Sequence, residues 1–302
     1  MAEAPWRSAP TALAVRRLMI MAASVLPLRA PKARRSPPAT GPRLTVVVAN
    51  VALGERQADA QARLLVEAEA DVLCVIEHSA ATARALGTNG LAERFAHLAD
   101  DADEGYFGSL VASRHRIVNR WAGMVGGRRG QVVDLDVDGV ATRVVPVHTQ
   151  APIHVHDVAR WHSTIAANGS LADDSPGPAI LAGDWNATAG HRRFRDTLRD
   201  HGLVDAQRAL GIAWLPTWPV DHAIAGFHPP PFLTLDHVVT TPDVTVESIS
   251  RMAIPGSDHL GLRAAMRLPA AVAPVDPGPT RSPRVRTPIW MPQNVGRQGG
   301  PS

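Results

Sequence analysis

The sequence predicts an α/β protein of four layers, a sandwich of two mixed β-sheets packed face to face with helices outside. Three observations predict it. Apolar runs of strand length alternate with a few helical stretches over residues 43–202. The turn Asp138-Gly139 divides one long apolar stretch into two strands, the strongest local hairpin signal in the chain. Three further strands follow one another near the C-terminus without an intervening helix. Many strands, hairpins and few helices fit helices packed outside two sheets.

In order, "RLTVVVAN" (43–50) reads as a strand and "QADAQARLLVEAEA" (57–70) as a helix with Ala and Leu on one face. "DVLCVIE" (71–77) is a buried strand, and "FGSLVAS" (107–113) another. "QVVDLDVDGVATRVVPVHT" (131–149) holds the two strands of the hairpin. "VHDVARWHSTIAANGSLA" (155–172) is a helix and "PAILAGDWN" (178–186) a strand. "HRRFRDTLRDHG" (191–202) is a short helix closed by glycine. "TLDHVVTT" (234–241), "VTVESISRM" (244–252) and "GLRAAMRL" (261–268) are strands.

The 302 residues suffice for one large domain or two small ones. The single cysteine, Cys74, rules out an intramolecular disulfide, so stability must come from a core. Lys32 is the only lysine, so each arginine is not read as a phosphate ligand. The pI near 9.9 comes from the two ends. Residues 1–42 carry +6 and residues 269–302 carry +3; with +3 for the whole chain, residues 43–268 carry −6. That acidic centre counts against an enzyme that grips nucleic acid through a positive surface.

Residues 1–42 read as a basic leader. Arg16-Arg17 precede the apolar run "LMIMAASVLPL" (18–28), which has the length of a signal-peptide core and is short for a membrane span. Lys32, Arg34 and Arg35 follow closely, so a signal or membrane-association segment and a disordered arm stand as equal readings. Residues 269–302 read as a Pro/Gly-rich disordered tail, with Trp290 as a docking residue. The expected unit is 43–268, acting as a monomer, either cytoplasmic or held at a membrane or exported.

Six segments carry a chemically useful residue at a strand end, four of them at the end of an apolar run. Those four end at Asn50, Glu77, His148 and Asp184, and two later segments bring Asp236-His237 and Ser257-Asp258-His259. One such residue would ordinarily open a turn or cap a helix. Six are harder to dismiss, because strand ends in α/β proteins converge on a crevice. Asn, Glu, Asp and neutral His are hard ligands plus a proton-transfer group, which suits Mg2+ or Mn2+ and not a structural zinc. In "ILAGDWNATAG" (180–190) the Asp184 carboxylate can orient or deprotonate a water, and the Asn186 amide can donate to a phosphoryl oxygen without adding negative charge. The chemistry indicated is hydrolysis of a phosphate ester or anhydride.

The ordered elements "VVVAN", "DVLCVIE", "FGSLVASRHRI", "VPVHT", "ILAGDWNA", "TLDHVV" and "GSDHLGL" resemble the endonuclease/exonuclease/phosphatase superfamily over about residues 43–268. Its members include pancreatic deoxyribonuclease, apurinic endonucleases, inositol polyphosphate 5-phosphatases and bacterial sphingomyelinases. "PTWP" (216–219), "LDHVV" and "IPGSDH" (254–259) are similar to a bacterial branch with membrane-attached proteins linked to glycopeptide-antibiotic resistance. The resemblance implies Glu77 as main metal ligand, Asn50 as a metal-binding or supporting residue, and Asp258 as a metal-side carboxylate. It implies that Asp184 and Asn186 position nucleophile and phosphate and that His148 contacts the scissile phosphate. His259 would be the catalytic histidine and Asp236 the carboxylate that orients it. Ala52 stands where some members carry an acid, which puts a second metal in doubt, and the Glu77 motif reads "IEHS", with His78 after the acid, where many members have Gln-Glu.

Other residues read as structural. His154 and His156 lack companions for a zinc site and suit a surface loop or helix start; Arg114 and Arg116 suit a solvated turn. Trp214 and Trp218 read as loop anchors packed on the core, or else as an apolar wall for a lipid substrate. The functional expectation is a Mg2+-dependent phosphoesterase acting on a lipid-linked or small phosphoester, with its basic arms at an anionic membrane surface. A DNA or RNA nuclease of the same superfamily is the alternative. A non-catalytic binding module on this scaffold is the alternative of another class, disfavoured because a degenerate copy would have lost part of the acid and histidine set.

Overall fold

A computed structural model describes residues 38–271 except 55, 56, 213 and 225; the expectations for the leader, the tail and Trp290 lie outside these residues. Two six-stranded sheets face each other. The first contains β1 (Arg43–Asn50), β2 (Val72–Ile76), β3 (His97–Asp101), β4 (Ser109–Ser113), β11 (Thr245–Ala253) and β12 (Leu260–Arg267), in the order β11-β12-β1-β2-β4-β3. The second contains β5 (Arg116–Val125), β6 (Arg128–Val137), β7 (Val140–His148), β8 (Ala179–Asp184), β9 (Val204–Asp205) and β10 (Asp236–Thr240), in the order β5-β6-β7-β8-β10-β9. Each sheet has one parallel pair, β1 with β2 and β7 with β8. All other pairs are antiparallel.

Helices α1 (Ala58–Glu67), α2 (Ala80–Thr88) and α3 (Leu91–Arg94) cover the outer face of the first sheet. Helices α4 (Val158–Ser170) and α5 (Arg192–Asp200) cover that of the second, and α6 (Ala206–Ala209) follows β9. The period-2 alternation of a strand explains the continuous apolar runs. In β2, Val72 and Cys74 face the space between the sheets, while Leu73 and Val75 face the helices. The inner layer joins Val46, Val48 and Val111 to Leu135, Val144, Ile180 and Val238. Each fully buried side chain of this kind contributes about 1.5–3 kcal/mol.

The fold class and the assigned elements agree with the sequence expectation. Missing from it were α2, α3, β3, β5, β9 and α6. β5 alternates between exposed and half-exposed positions and is bulged between Ile117 and Asn119, so it lacks an apolar run. Arg116 opens β5 and pairs with Asp136 at 3.1 Å, which corrects the expectation of a turn there; Arg114 pairs with Asp71 at 3.7 Å. Among the described residues no helix is long and apolar enough to cross a membrane.

The parallel pairs point their C-terminal ends to one pole of the sandwich, where β4, β6, β10 and β12 begin. The described chain starts and stops at the other pole. There the Gly41 amide donates to the Leu268 carbonyl at 2.9 Å, and the Leu268 amide donates to that of Pro42 at 2.9 Å.

Candidate active site

The register of the second sheet aligns three predicted residues. Asp184 is the cross-strand partner of His148 on β7 and of Asp236 on β10, so the three side chains share one face. From the facing sheet come Asn50, the last residue of β1, and Glu77, which follows β2. His259 immediately precedes β12. The glycine of the Gly183-Asp184 pair is a steric necessity: its φ is +151°, and a Cβ there would lie 2.0 Å from the Val147 carbonyl oxygen of β7. Glu77 (φ +53°) and Asn186 (φ +45°) adopt the left-handed region just after their strands, a conformation that costs about 1–3 kcal/mol for such residues and collects at functional sites.

His259 Nδ1 lies 2.8 Å from Asp236 Oδ2, and its Nε2 lies 3.6 Å from Asp184 Oδ2. Burial opposes charge on this ring, but the Asp236 and Asp184 carboxylates outweigh it and push its pKa up to about 10. His148 differs. Its Nδ1 lies 2.6 Å from the Tyr106 carbonyl, which can only accept, so that nitrogen carries hydrogen. Burial holds His148 below its ordinary pKa and leaves it neutral. Its Nε2 lone pair then faces Glu77 Oε1 at 3.6 Å and Asp184 Oδ2 at 3.9 Å. Phe107 stacks on the ring at 5.1 Å.

Burial pushes Glu77 up to about 7 and Asp184 to about 6. Asn50 Nδ2 donates to Glu77 Oε1 at 2.9 Å, while Asn50 Oδ1 accepts from the Ala52 amide at 3.0 Å. Asn50 is thereby placed as the support of Glu77. Asn186 supports Asp184: its backbone amide donates to Oδ1 at 2.7 Å, and its side-chain amide donates to the Thr149 carbonyl at 3.0 Å and to Asp184 Oδ2 at 3.3 Å. The Asn186 amide is thus engaged within the protein, and not open toward substrate as the sequence reading had it.

Asp258 is half-exposed and turns to Trp218 Nε1 (3.1 Å) and His222 Nδ1 (3.7 Å). It stands outside the grouping of Asp184, Asp236 and His259 whose ligand atoms lie within 4.8 Å of one another. That grouping already holds positive charge, the His259 imidazolium between two carboxylates. Among the described residues Glu77 has no cation in contact: its Oε1 accepts from Asn50 Nδ2 and faces the neutral His148. Oxygen-rich, buried and short of positive charge, this donor set fits a hard divalent cation at Glu77.

Two residues strap the site together. Gln61 of α1 is buried, and its Nε2 donates to the carbonyls of Val51 (3.0 Å) and Pro255 (2.8 Å). Ser257 Oγ donates to the Asn50 carbonyl at 2.7 Å and accepts from the His259 amide at 3.1 Å. Together they join the Asn50 segment to the His259 segment where the pairing of β1 with β12 stops at Val48 and Leu262. The sequence reading missed both roles, although a lone Gln on the Ala/Leu face of a helix was a usable sign for Gln61. The Tyr106 carbonyl left none.

Several residues lie apart. His78 is buried against Asp100 of β3, its Nε2 3.2 Å from Oδ1. His154 and His156 are exposed before α4, rings stacked at 5.1 Å, in the surface position expected. Trp218 is a half-buried anchor, but Trp214 is 57% exposed with Nε1 on the Phe232 carbonyl at 3.2 Å, which corrects the expectation that both pack on the core.

The model of the Endonuclease/Exonuclease/phosphatase family matches residues 47–259. The chain belongs to this family. No curated protein matches the chain. Among solved structures, Danio rerio TDP2 complexed with single strand DNA product is 14% identical, over 74% of this chain and 99% of that one, with a TM-score of 0.60. The endonuclease/exonuclease/phosphatase from Beutenbergia cavernae is 20% identical over 76% and 72%, with a TM-score of 0.59. Beta toxin from Staphylococcus aureus is 16% identical over 73% and 99%, with a TM-score of 0.51. At these identities the likeness is one of fold. Members of the Endonuclease/Exonuclease/phosphatase family are metal-dependent hydrolases of phosphoester bonds, and this chain is a hydrolase of that class.

Proposed function

We propose that the chain is a Mg2+-dependent phosphoesterase, with Mn2+ as a substitute, whose substrate is a lipid-linked or small phosphate ester or anhydride. The observation that carries this reading is Asp184, a buried carboxylate between the imidazoles of His148 and His259, with Asp236 behind the latter. In this reading Glu77, braced by Asn50, holds the metal, while Asp258, expected as a metal-side carboxylate, stands with Trp218 and His222. When bound, the ion offsets negative charge on the phosphoryl oxygens. Asp184 orients the attacking water and receives its proton, with Asn186 keeping the carboxylate in place. Neutral His148 contacts the phosphate. His259 presents an Nε2–H to the developing charge or to the leaving oxygen, while Asp236 keeps the ring charged and oriented.

Residues 43–268 serve as the catalytic unit and the basic arms as a tether to an anionic surface. The −6 balance of that unit supports a substrate other than duplex DNA. A nuclease is the second reading, favoured by one observation: a structure of the same fold, Danio rerio TDP2, is complexed with single strand DNA product. The test is hydrolysis by the full chain, with Mg2+, Mn2+ or EDTA, of plasmid DNA, single-stranded DNA, RNA, phosphoinositides, sphingomyelin and polyprenyl pyrophosphate. The reading calls for metal-dependent turnover of a lipid or small ester and poor nicking of plasmid. Full activity in EDTA would overturn the metal mechanism, and efficient nicking at physiological salt would establish the nuclease.

A further inference from the structure

The described residues expose nine large apolar side chains. Only Leu98 and Val118 lie away from the pole where the site opens; the other seven belong to connections that meet there. Tyr106 sits in the β3–β4 connection beside His148, and Met124 in the β5–β6 hairpin. Ile153 and Val155, the latter 91% exposed, project from the segment after β7, and Val158 opens α4. Phe227, 77% exposed, tips the connection that enters β10, with Trp214 on the same connection.

We infer that this ring of side chains docks the mouth of the site onto a phospholipid bilayer. The apolar groups stand on four separate connections around an opening and do not form one continuous patch. A protein partner would need a matching pocket for each, whereas a bilayer interface admits them singly. The same connections carry charges of both signs, Arg128 and Arg160 on two of them and Asp103, Glu104 and Asp221 on the others. That pattern suits zwitterionic headgroups and offers no continuous positive surface for a polyanion. Asp184, Asp236 and His259 are buried at the pole these connections reach, so a lipid-linked ester would enter headgroup first without leaving the membrane. The inference deepens the proposed lipid substrate and rests on that reading for what enters the site, whereas the docking itself rests on the exposed side chains.

The experiment is sedimentation of the full chain with neutral phosphatidylcholine vesicles in 0.5 M NaCl, which screens the basic arms to a Debye length of only about 4 Å. Val155→Asp/Phe227→Asp should lower vesicle partitioning about tenfold or more, because two inserting side chains become charged. Leu98→Asp/Val118→Asp, away from the mouth, should leave partitioning unchanged, and both variants should keep hydrolysis of soluble bis(p-nitrophenyl) phosphate. Wild-type protein that stays in the supernatant, or a mouth variant that pellets like wild type, overturns the inference. So does a wild-type dimer in light scattering that the mouth variant dissociates, since a second copy would then be the occupant. Vesicle binding lost in the mouth variant, with no phosphoesterase activity in any protein, would uphold the docking and remove the catalytic reading instead.

Discussion

Replacing Asp236 by Asn tests the histidine couple without changing its size. The wild-type imidazolium is held at about 10, against 6.5 for an ordinary histidine, by Asp236 at 2.8 Å and Asp184 at 3.6 Å acting against burial. At about 1.4 kcal/mol per unit, that difference is on the order of 4–5 kcal/mol of preference for the charged ring. Asp236 is the nearer carboxylate, so its loss should lower the pKa of His259 by roughly two units. The alkaline limb of kcat/KM should move down with it, and kcat should fall about 10²–10⁴-fold, the usual scale of a proton-transfer contribution. Stability gives an independent reading. A histidine raised in the folded state stabilises fully below its unfolded pKa near 6.5, and the contribution disappears as pH rises through about 10. Wild-type protein should therefore lose stability between these values more steeply than the variant. The assay is a pH series of bis(p-nitrophenyl) phosphate hydrolysis and urea unfolding for Asp236→Asn, His259→Ala and the double variant. Two residues acting as one unit give a double variant no worse than the stronger single. Strictly additive losses, or an unmoved alkaline limb, would refute the couple.

Glu77→Gln should cost about 10–100-fold or more in metal affinity or rate while far-UV circular dichroism stays unchanged, since it removes a charge and little volume. Glu77 and Asp184 are both raised by burial, so holding them ionised costs stability that accumulates as pH rises through about 4 to 7. Mg2+ should consequently raise Tm more at pH 8 than at pH 5, in thermal scans at equal metal concentration; an equal rise at both would speak against these two acids as the binding groups. Gln61→Leu should destabilise by about 1–3 kcal/mol through the stranded carbonyls of Val51 and Pro255. Because Gln61 joins the segments of Asn50 and His259, its loss should lower kcat with little change in KM, as read by steady-state kinetics beside urea titration.

The framework was legible because its strands are buried on both faces and therefore read as unbroken apolar runs, as in β2 and β8. β3 and β5 were not, since half their side chains face solvent and β5 is bulged. The site residues were legible because Asn50, Glu77, His148 and Asp184 stand at the end of such a run and Asp236 and His259 just before one, and the register then aligns His148, Asp184 and Asp236. Three-dimensional pairing decided the rest. Nothing in "PGSDH" tells that Asp258 turns to Trp218 and His222 while His259 turns to Asp236. Nor does a sequence distinguish an amide open to substrate from one engaged with the Thr149 carbonyl, as Asn186 is. Backbone acceptors such as Tyr106 carry no side-chain signature at all.

The adjoining ends of the described chain sit at the pole opposite the mouth. Anything fastened to either end therefore grips the domain by its back. β1 alone spans eight residues, about 26 Å at 3.3 Å per residue. A flexible leash reaches an average of about 5–6 Å times the square root of its length, so roughly 25 residues are needed to swing the mouth round to the surface that holds the leash. A shorter leash would keep the opening turned outward, toward substrates on a facing surface or in solution. Leash length thus becomes a control on which substrates the same catalytic groups can meet, adjustable without altering any residue around Asp184.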